Sequence, residues 1–332
     1  MRNQNNAFTT AEQLSRLYTP SSKLAFTMAE ILISLTIIGV IAAITLPSLR
    51  ANINEKTWAT QRKALYSRMS QAIAMMPSLS GYGIGADNAE TSSKASEVFV
   101  TDGLSKVLDI NNICNYQKLS ECGFSSKIKT LIDNRNINFP TKFSDLNPRI
   151  TSSGSNTIGD TTYVNSSPLI DTYTAAFETK NGESVAVFYN PFCMSKNDGI
   201  EHYFVQHQIC VNFVYDMNGK RGPNQVGRDI GYMTALYATD SEVVSSLPIN
   251  WAQNASVPYN NARANCRKKD ARVLSFEELV SSYANTKLID VPTSYGFMSS
   301  TLGGDGKYRA LSMYTGFTLY VSQSYYLCTK RN

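Results

Sequence analysis

The sequence predicts an α+β protein. A long N-terminal helix, transmembrane in its first part and amphipathic in its second, packs on an antiparallel β-sheet head, and a disulfide-bonded α+β module follows at the C-terminus. Three observations predict this. Phe26 to Leu49 carries a single charge, Glu30. Apolar residues then recur at helical spacing as far as Met76, after which β-branched and aromatic runs appear from Ser184 onward. Six cysteines are present, all from Cys114 onward.

The chain has 332 residues, which suits an anchor and two modest domains. Charged residues make up 17%, hydrophobic residues 42%, and there are 19 tyrosines, a balance that favours strand-rich folded modules over disorder. The net charge is +5. Without the first 25 residues, which hold Arg2, Arg16 and Lys23 against Glu12, it falls to +3. Such a weak excess does not by itself argue for nucleic acid.

Phe26 to Leu49 spans 24 residues, about 36 Å as a helix and enough to cross a bilayer. From Ile31 to Leu46 no charge interrupts it. A carboxylate inside such a helix costs several kcal/mol at the bilayer centre on most estimates and tends to persist where something pairs with it. An ordinary secretory signal would be cut after the apolar run, near Thr45 to Ser48, and would have no use for Glu30.

The run Lys23-Leu-Ala25-Phe26-Thr-Met-Ala-Glu30, with the apolar stretch and Pro47 behind it, resembles the prepilin-type signal of type IV pilins and type II secretion pseudopilins. The resemblance covers about the first 50 residues. It implies that 1–25 is a leader, that a prepilin peptidase cuts between Ala25 and Phe26, and that the new amine of Phe26 is methylated. It also implies that Glu30 pairs with the Phe26 amine of a neighbouring subunit during assembly, and that Pro47 is the proline of the family's helix. Ala25 departs from the commoner Gly, and the leader is long.

The helix is expected to continue as an amphipathic part over 50–77. Leu65, Met69, Ala72, Ile73 and Met76 form one apolar stripe, while Arg62, Lys63 and Arg68 mark its wetter side. Pro47 is expected to loosen it. Pro77 and the glycines at 81, 83 and 85 are expected to end it. The head spans 78–249. Its first part reads as loops with short helices over Ser96–Leu108 and Ser125–Ile132. Ser184 to Tyr189 and Tyr203 to Asp216 read as strands of an antiparallel sheet, as in a pilin-like head.

An even cysteine count in an exported chain favours disulfides. Proximity and domain logic favour Cys114–Cys122, Cys193–Cys210 and Cys266–Cys328. A zinc site from Cys193, His202, His207 and Cys210 has no standard spacing.

Asp216-Met-Asn-Gly, followed by Gly-Pro-Asn and Gly-Arg-Asp229, resembles a loop of many pseudopilin-like proteins. Asp216, Asn218 and Asp229 offer oxygens to calcium. The simpler reading is a Gly/Asn turn in which Asp216 caps its own backbone.

Residues 250–332 form the C-terminal module. Ser275 and Glu278 are spaced as a capping box that opens a helix. Cys266, Arg272, Leu274, Glu278, Leu279, Ser299, Ser300, Thr301 and Cys328 resemble a C-type-lectin-like pattern over about 70 residues. Ala271, Ser275 and Phe297-Met298 depart from its Gly, Pro and Trp. The calcium-site tripeptides of sugar-binding members do not occur after residue 250. The aromatic run Tyr308 to Tyr326 reads as half-buried sheet residues with some capacity for a ligand.

No nucleophile elbow, phosphate loop, nucleotide fingerprint or zinc-protease helix occurs, so a non-enzymatic role is expected. The resemblance implies a structural subunit, minor or at a tip given the large head. It would sit single-pass in the cytoplasmic (inner) membrane with the head outside the cytoplasm, then in a filament at the surface or in the periplasm. Its partners would be the prepilin peptidase, other pilin or pseudopilin subunits and the inner-membrane assembly platform. The alternatives are an adhesin whose C-terminal module recognises a surface ligand, and a DNA-uptake pilin. The last would need Lys and Arg gathered on one face, and nucleic acid is not the expected partner.

Overall fold

The computed structural model describes residues 27–84, 92–152, 154–165, 171–193, 204–237, 243–244, 248–251, 256–303 and 306–330. The first element is helix α1, Met28–Ser80. Its backbone stays helical across Pro47, whose side chain lies outside the described residues. A proline forfeits only its own amide donor, so it need not end a helix that is held elsewhere. The chain divides into two compact units, Met1–Asn54 and Glu55–Asn332. In the first, the side chains from Ile31 to Ile44 are almost all exposed.

In the second unit the amphipathic stripe is realised. Leu65, Met69, Ala72, Ile73 and Met76 are buried, together with Trp58. The helix outlasts the stop expected at Pro77 by about one turn. Gly81 ends it, at φ 69°, with its N–H donated to the Pro77 carbonyl at 3.2 Å. A left-handed residue after the last turn closes a helix better than a proline inside that turn. Gly85 lies outside the described residues.

The helical run expected over Ser96–Leu108 is present but changes winding. It passes from α2 (Ala95–Val98) through a π-helical turn, Phe99–Gly103, to a 3₁₀ turn, Leu104–Lys106. Gly103 lies so close to α1 that a Cβ there would come within 2.7 Å of Met76 Sδ. Strand β1 (Ile110–Asn115) follows.

The helix expected over Ser125–Ile132 is not formed. Strand β2 (Lys127–Lys129) pairs there with β3 (Asn136–Asn138). Lys-Ile-Lys alternates with the period of a strand, and only Ile128 is buried. After the short helix α3 (Phe143–Leu146) comes a hairpin of β4 (Gly154–Ile158) and β5 (Thr161–Asn165), in a stretch expected to be loop.

Strands β6 (Ala175–Thr179), β7 (Ser184–Tyr189), β8 (Ile209–Asp216), β9 (Ile230–Leu236) and β10 (Val243–Val244) join β1 in an antiparallel sheet, order β1-β6-β7-β8-β9-β10. The expected strand from Tyr203 starts later. Val205–Gln208 is a 3₁₀ turn holding buried His207, and His202 lies outside the described residues. β7, β8 and β9 are buried along their whole length. Val185, Val187, Val211, Phe213, Met233 and Ala235 share a core with the α1 stripe. Ala186, Phe188, Val214 and Tyr232 belong to the second, larger core.

That larger core is completed from the C-terminal part. Here lie β11 (Pro248–Trp251), β12 (Val257–Pro258), α4 (Tyr259–Arg267), β13 (Ala271–Val273), α5 (Phe276–Ala284) and α6 (Thr286–Ile289). The strands β14 (Gly296–Leu302), β15 (Tyr308–Ser312), β16 (Thr318–Val321) and β17 (Gln323–Lys330) follow. The second sheet runs β11-β17-β14-β15-β16, with β12 and β13 also on β17. Its β14–β17 pair is parallel, while the other described pairs of this sheet are antiparallel. Leu274, Phe276, Leu279 and Tyr283 from α5 and its approach pack into the core shared with Phe188 and Tyr232.

All six cysteines are bonded, as Cys114–Cys122, Cys193–Cys210 and Cys266–Cys328. The last ties α4 to β17. The second takes both sulfurs away from any zinc site.

Candidate functional site

Two places carry the candidate functional residues. The first is the start of α1. Ala25 and Phe26 lie outside the described residues. Glu30 Oε2 accepts the Thr27 amide N–H at 2.8 Å and the Thr27 hydroxyl at 3.0 Å. The Glu30 N–H donates back to Thr27 Oγ1 at 3.2 Å. This reciprocal pair is a capping box, which satisfies amides that the first turn leaves without partners. Thr27-Met-Ala-Glu30 is a sequence signal for it that was open to reading.

Behind that turn, Met28–Thr45 is long and apolar enough to cross a membrane. Its two threonine hydroxyls are turned inward along the helix: Thr36 donates to the Leu32 carbonyl at 2.6 Å and Thr45 to that of Ile41 at 2.9 Å. Such back-bonding spares an apolar surround an unpaired hydroxyl.

The second place is the loop between β8 and β9. Asp216 and Ile230 are cross-strand partners, so the strand ends bring Asp216 and Asp229 together. Both are 0% exposed. Asp216 Oδ1 accepts the Asn218 amide at 3.0 Å, which is the backbone cap expected of a turn. Asp229 uses both oxygens, accepting the amides of Asn224 at 2.7 Å and Gln225 at 2.8 Å. The other Asp216 oxygen, Oδ2, has no hydrogen-bond partner, and neither do the buried side-chain oxygens of Asn218 and Asn224. Burial pushes the Asp216 carboxyl up to about 8, and the neighbouring Asp229 charge adds to the rise against the amide of Asn218.

Unpaired buried oxygens are costly, and a carboxylate most of all. Carboxylate and amide oxygens are the donor type that hard cations take. Among the described residues no three His, Cys, Asp or Glu side chains converge on a possible metal site. Asn224, within the Gly-Pro-Asn segment, carries a further unpaired buried oxygen in the same loop, which the sequence alone does not single out.

Comparison with protein-family models, curated proteins and solved structures found no match. In the C-terminal part the capping box forms as read: Ser275 Oγ accepts the Glu278 amide at 3.3 Å, and Glu278 accepts that of Ser275 at 2.7 Å. Arg272 grips the same carboxylate through two bonds of 2.6 Å. Arg272 itself lies in β13, not in the helix. Of the aromatic run, Phe317 and Tyr326 are buried, Tyr308 and Tyr325 are half-buried, and Tyr314 and Tyr320 are 49% and 48% exposed. Tyr314 lies under the Arg149 guanidinium at 4.0 Å.

Proposed function

We propose that this chain is a structural subunit of a type IV pilus or type II secretion filament, minor or at a tip. One observation carries the reading: an apolar helical segment with exposed side chains is continuous with a helix whose later turns are docked in a disulfide-closed head. The apolar part needs lipid, or neighbouring copies of the same helix, around it. The motif at Ala25-Phe26 and Glu30 supports prepilin processing and a helix-to-helix assembly route. In the free subunit Glu30 is held by Thr27, so pairing with a neighbour's Phe26 amine replaces hydrogen bonds already made. Assembly then exchanges lipid contacts for helix contacts, and the head is carried as cargo with no catalytic duty.

The loop of Asp216, Asn218, Asn224 and Asp229 holds calcium in this reading. The ion's role is structural: it neutralises Asp216 and pins the β8–β9 connection. The inner membrane, with the head outside the cytoplasm, is the expected starting location.

Mass spectrometry of the mature N-terminus tests the proposal, on protein from membranes and from sheared surface material. An N-methylated Phe26, found also in the sheared fraction, is the expected result. An intact Met1, or a cut near Thr45 to Ser48, would overturn it.

A further inference from the structure

Cations gather at the end of the Glu55–Asn332 unit where α1 enters it. Glu55 there is ion-paired to Arg228 of the β8–β9 loop at 3.2 Å. Arg62, two turns on, donates through Nη1 to the carbonyls of Gly227 at 3.1 Å and Arg228 at 3.3 Å. The same loop runs beside the segment that leads into β2. Gly219 lies against Gly123, where a Cβ on Gly219 would come within 3.4 Å of the Gly123 carbonyl oxygen. Further along, the Lys129 N–H donates to the Asn224 carbonyl at 2.8 Å, and the Val226 N–H to that of Lys129 at 3.0 Å. Two stretches of chain, 123–129 and 219–226, are thus held side by side.

Lys127 and Lys129 belong to the first stretch and Lys220 and Arg221 to the second, and all four are exposed. Lys56, next to Glu55, is exposed as well. None of the five forms an ion pair among the described residues. Nearby acids are taken or buried: Glu121 pairs with Lys118, and Asp216 and Asp229 are inaccessible. Asp133, exposed beyond β2, offsets one of these charges at most. The far end of the docked helix differs. Met76 is 21 residues beyond Glu55, about 30 Å along the axis, and packs by Gly103. Residues 92–110 there carry Lys94 and Lys106 against Glu97, Asp102 and Asp109. Of the two ends of the docked helix, the excess of cations lies at the entry end.

The entry end is also the end tethered to the apolar segment. Glu55 follows Thr45 by ten residues, a length that no conformation stretches beyond about 36 Å. Lysines and arginines are drawn to anionic headgroups, and the pull fades within about 10 Å at ordinary ionic strength, so it acts on a patch that a tether keeps close. We propose that Lys56, Lys127, Lys129, Lys220 and Arg221 seat the head on the anionic phospholipid headgroups of the bilayer that Met28–Thr45 spans. The contact holds the unassembled subunit against the membrane and is given up when the helix leaves lipid. It rests on the reading of Met28–Thr45 as a membrane span, and the two fail in different ways.

The full chain is reconstituted in phosphatidylcholine vesicles with and without phosphatidylglycerol, at one calcium concentration. Flotation in high salt reads the span, because an inserted helix stays with vesicles of either composition. Lysine acylation by a reagent that does not cross the bilayer, followed by mass spectrometry, reads the patch. At low salt Lys127, Lys129 and Lys220 should react at least about threefold more slowly when phosphatidylglycerol is present, and high salt should abolish the difference. Lys94 and Lys106 should react alike in both vesicles. Lys220→Gln with Arg221→Gln should return most of the lost rate to Lys127 and Lys129 at an unchanged melting temperature. Should that variant fail to fold, Lys127→Gln with Lys129→Gln carries the same expectation for Lys220. In a chain that floats, equal rates in the two vesicles would overturn the patch and leave the span standing. So would equal slowing of Lys94 and Lys106, or equal slowing of the patch by a soluble oligonucleotide added to phosphatidylcholine vesicles. A chain that floats with neither vesicle would overturn the span, and the proposal with it.

Discussion

Asp216 is poorly matched to its surroundings. It is fully buried, one of its oxygens is bonded to the Asn218 amide, and the other has no partner. Without a cation the fold accommodates it best as a neutral acid, with the carboxyl raised to about 8 by burial and by Asp229. In the unfolded chain an aspartate titrates near 3.9, to about a unit. The folded state therefore binds this proton more tightly, and the resulting stability is fully present below about 4 and lost as pH rises through about 8. Calcium competes with the proton, so its benefit grows over the same window. Melting temperatures measured in a chelator should fall between pH 5 and 8, about that window. Millimolar calcium should restore them at pH 8 while changing little at pH 5. Asp216→Asn should remove both the pH slope and the calcium response. Equal melting temperatures with and without calcium at pH 8 would sink the metal reading and leave a turn held by backbone caps alone.

Among the elements, α1 shows what local pattern can and cannot reveal. Its stripe was legible because Leu65, Met69, Ala72 and Met76 repeat with the helical period and all face one sheet. β7 and β8 were legible as β-branched, aromatic runs. What ties α1 to the β6–β7 turn was not legible, because Arg68 and Glu183 are far apart in sequence. Arg68 Nη2 meets Glu183 Oε1 at 2.5 Å, and Glu183, nearly inaccessible, also accepts the Thr179 hydroxyl. The β2–β3 pair was misread for a similar reason: three residues of alternation become a strand only when a distant partner lies alongside. Removing Arg68 strands a buried carboxylate, the costly way to break such a pair. Arg68→Met should destabilise by about 1–3 kcal/mol in denaturant unfolding. Adding Glu183→Gln should recover part of that loss. A single variant as stable as wild type would show that the pair contributes nothing.

At the scale of the whole Glu55–Asn332 unit, the two sheets are joined by buried polar contacts as well as by apolar packing. Asn212 of β8 and Asn285, at the end of α5, exchange two side-chain hydrogen bonds of 2.8 Å. Thr234 of β9 donates to Asn212 at 2.7 Å and lies 2.8 Å from the Ser281 hydroxyl of α5. Backbone bonds add to this join, from Leu131 to the Leu288 carbonyl at 2.9 Å and from Val205 to that of Gly316 at 2.9 Å. A second unit is expected from about residue 250; β10 is the last strand of the first sheet and β11 the first strand of the second. The packing does not divide there: Ala186, Phe188, Val214 and Tyr232 of the first sheet and Leu279 and Tyr283 of α5 share one core. No local pattern announces such a join, because an asparagine in a strand reads as polar until its partner is known. A face buried by its neighbour cannot be uncovered without exposing that core, so both sheets should unfold together. Hydrogen exchange should give amides of β8 and β14 the same opening free energy. Asn285→Ala, which takes away the acceptor of the Asn212 amide and one of the two donors to its oxygen, should lower both equally, by about 1–3 kcal/mol. Loss of protection in β14 alone would mean that the C-terminal sheet opens by itself.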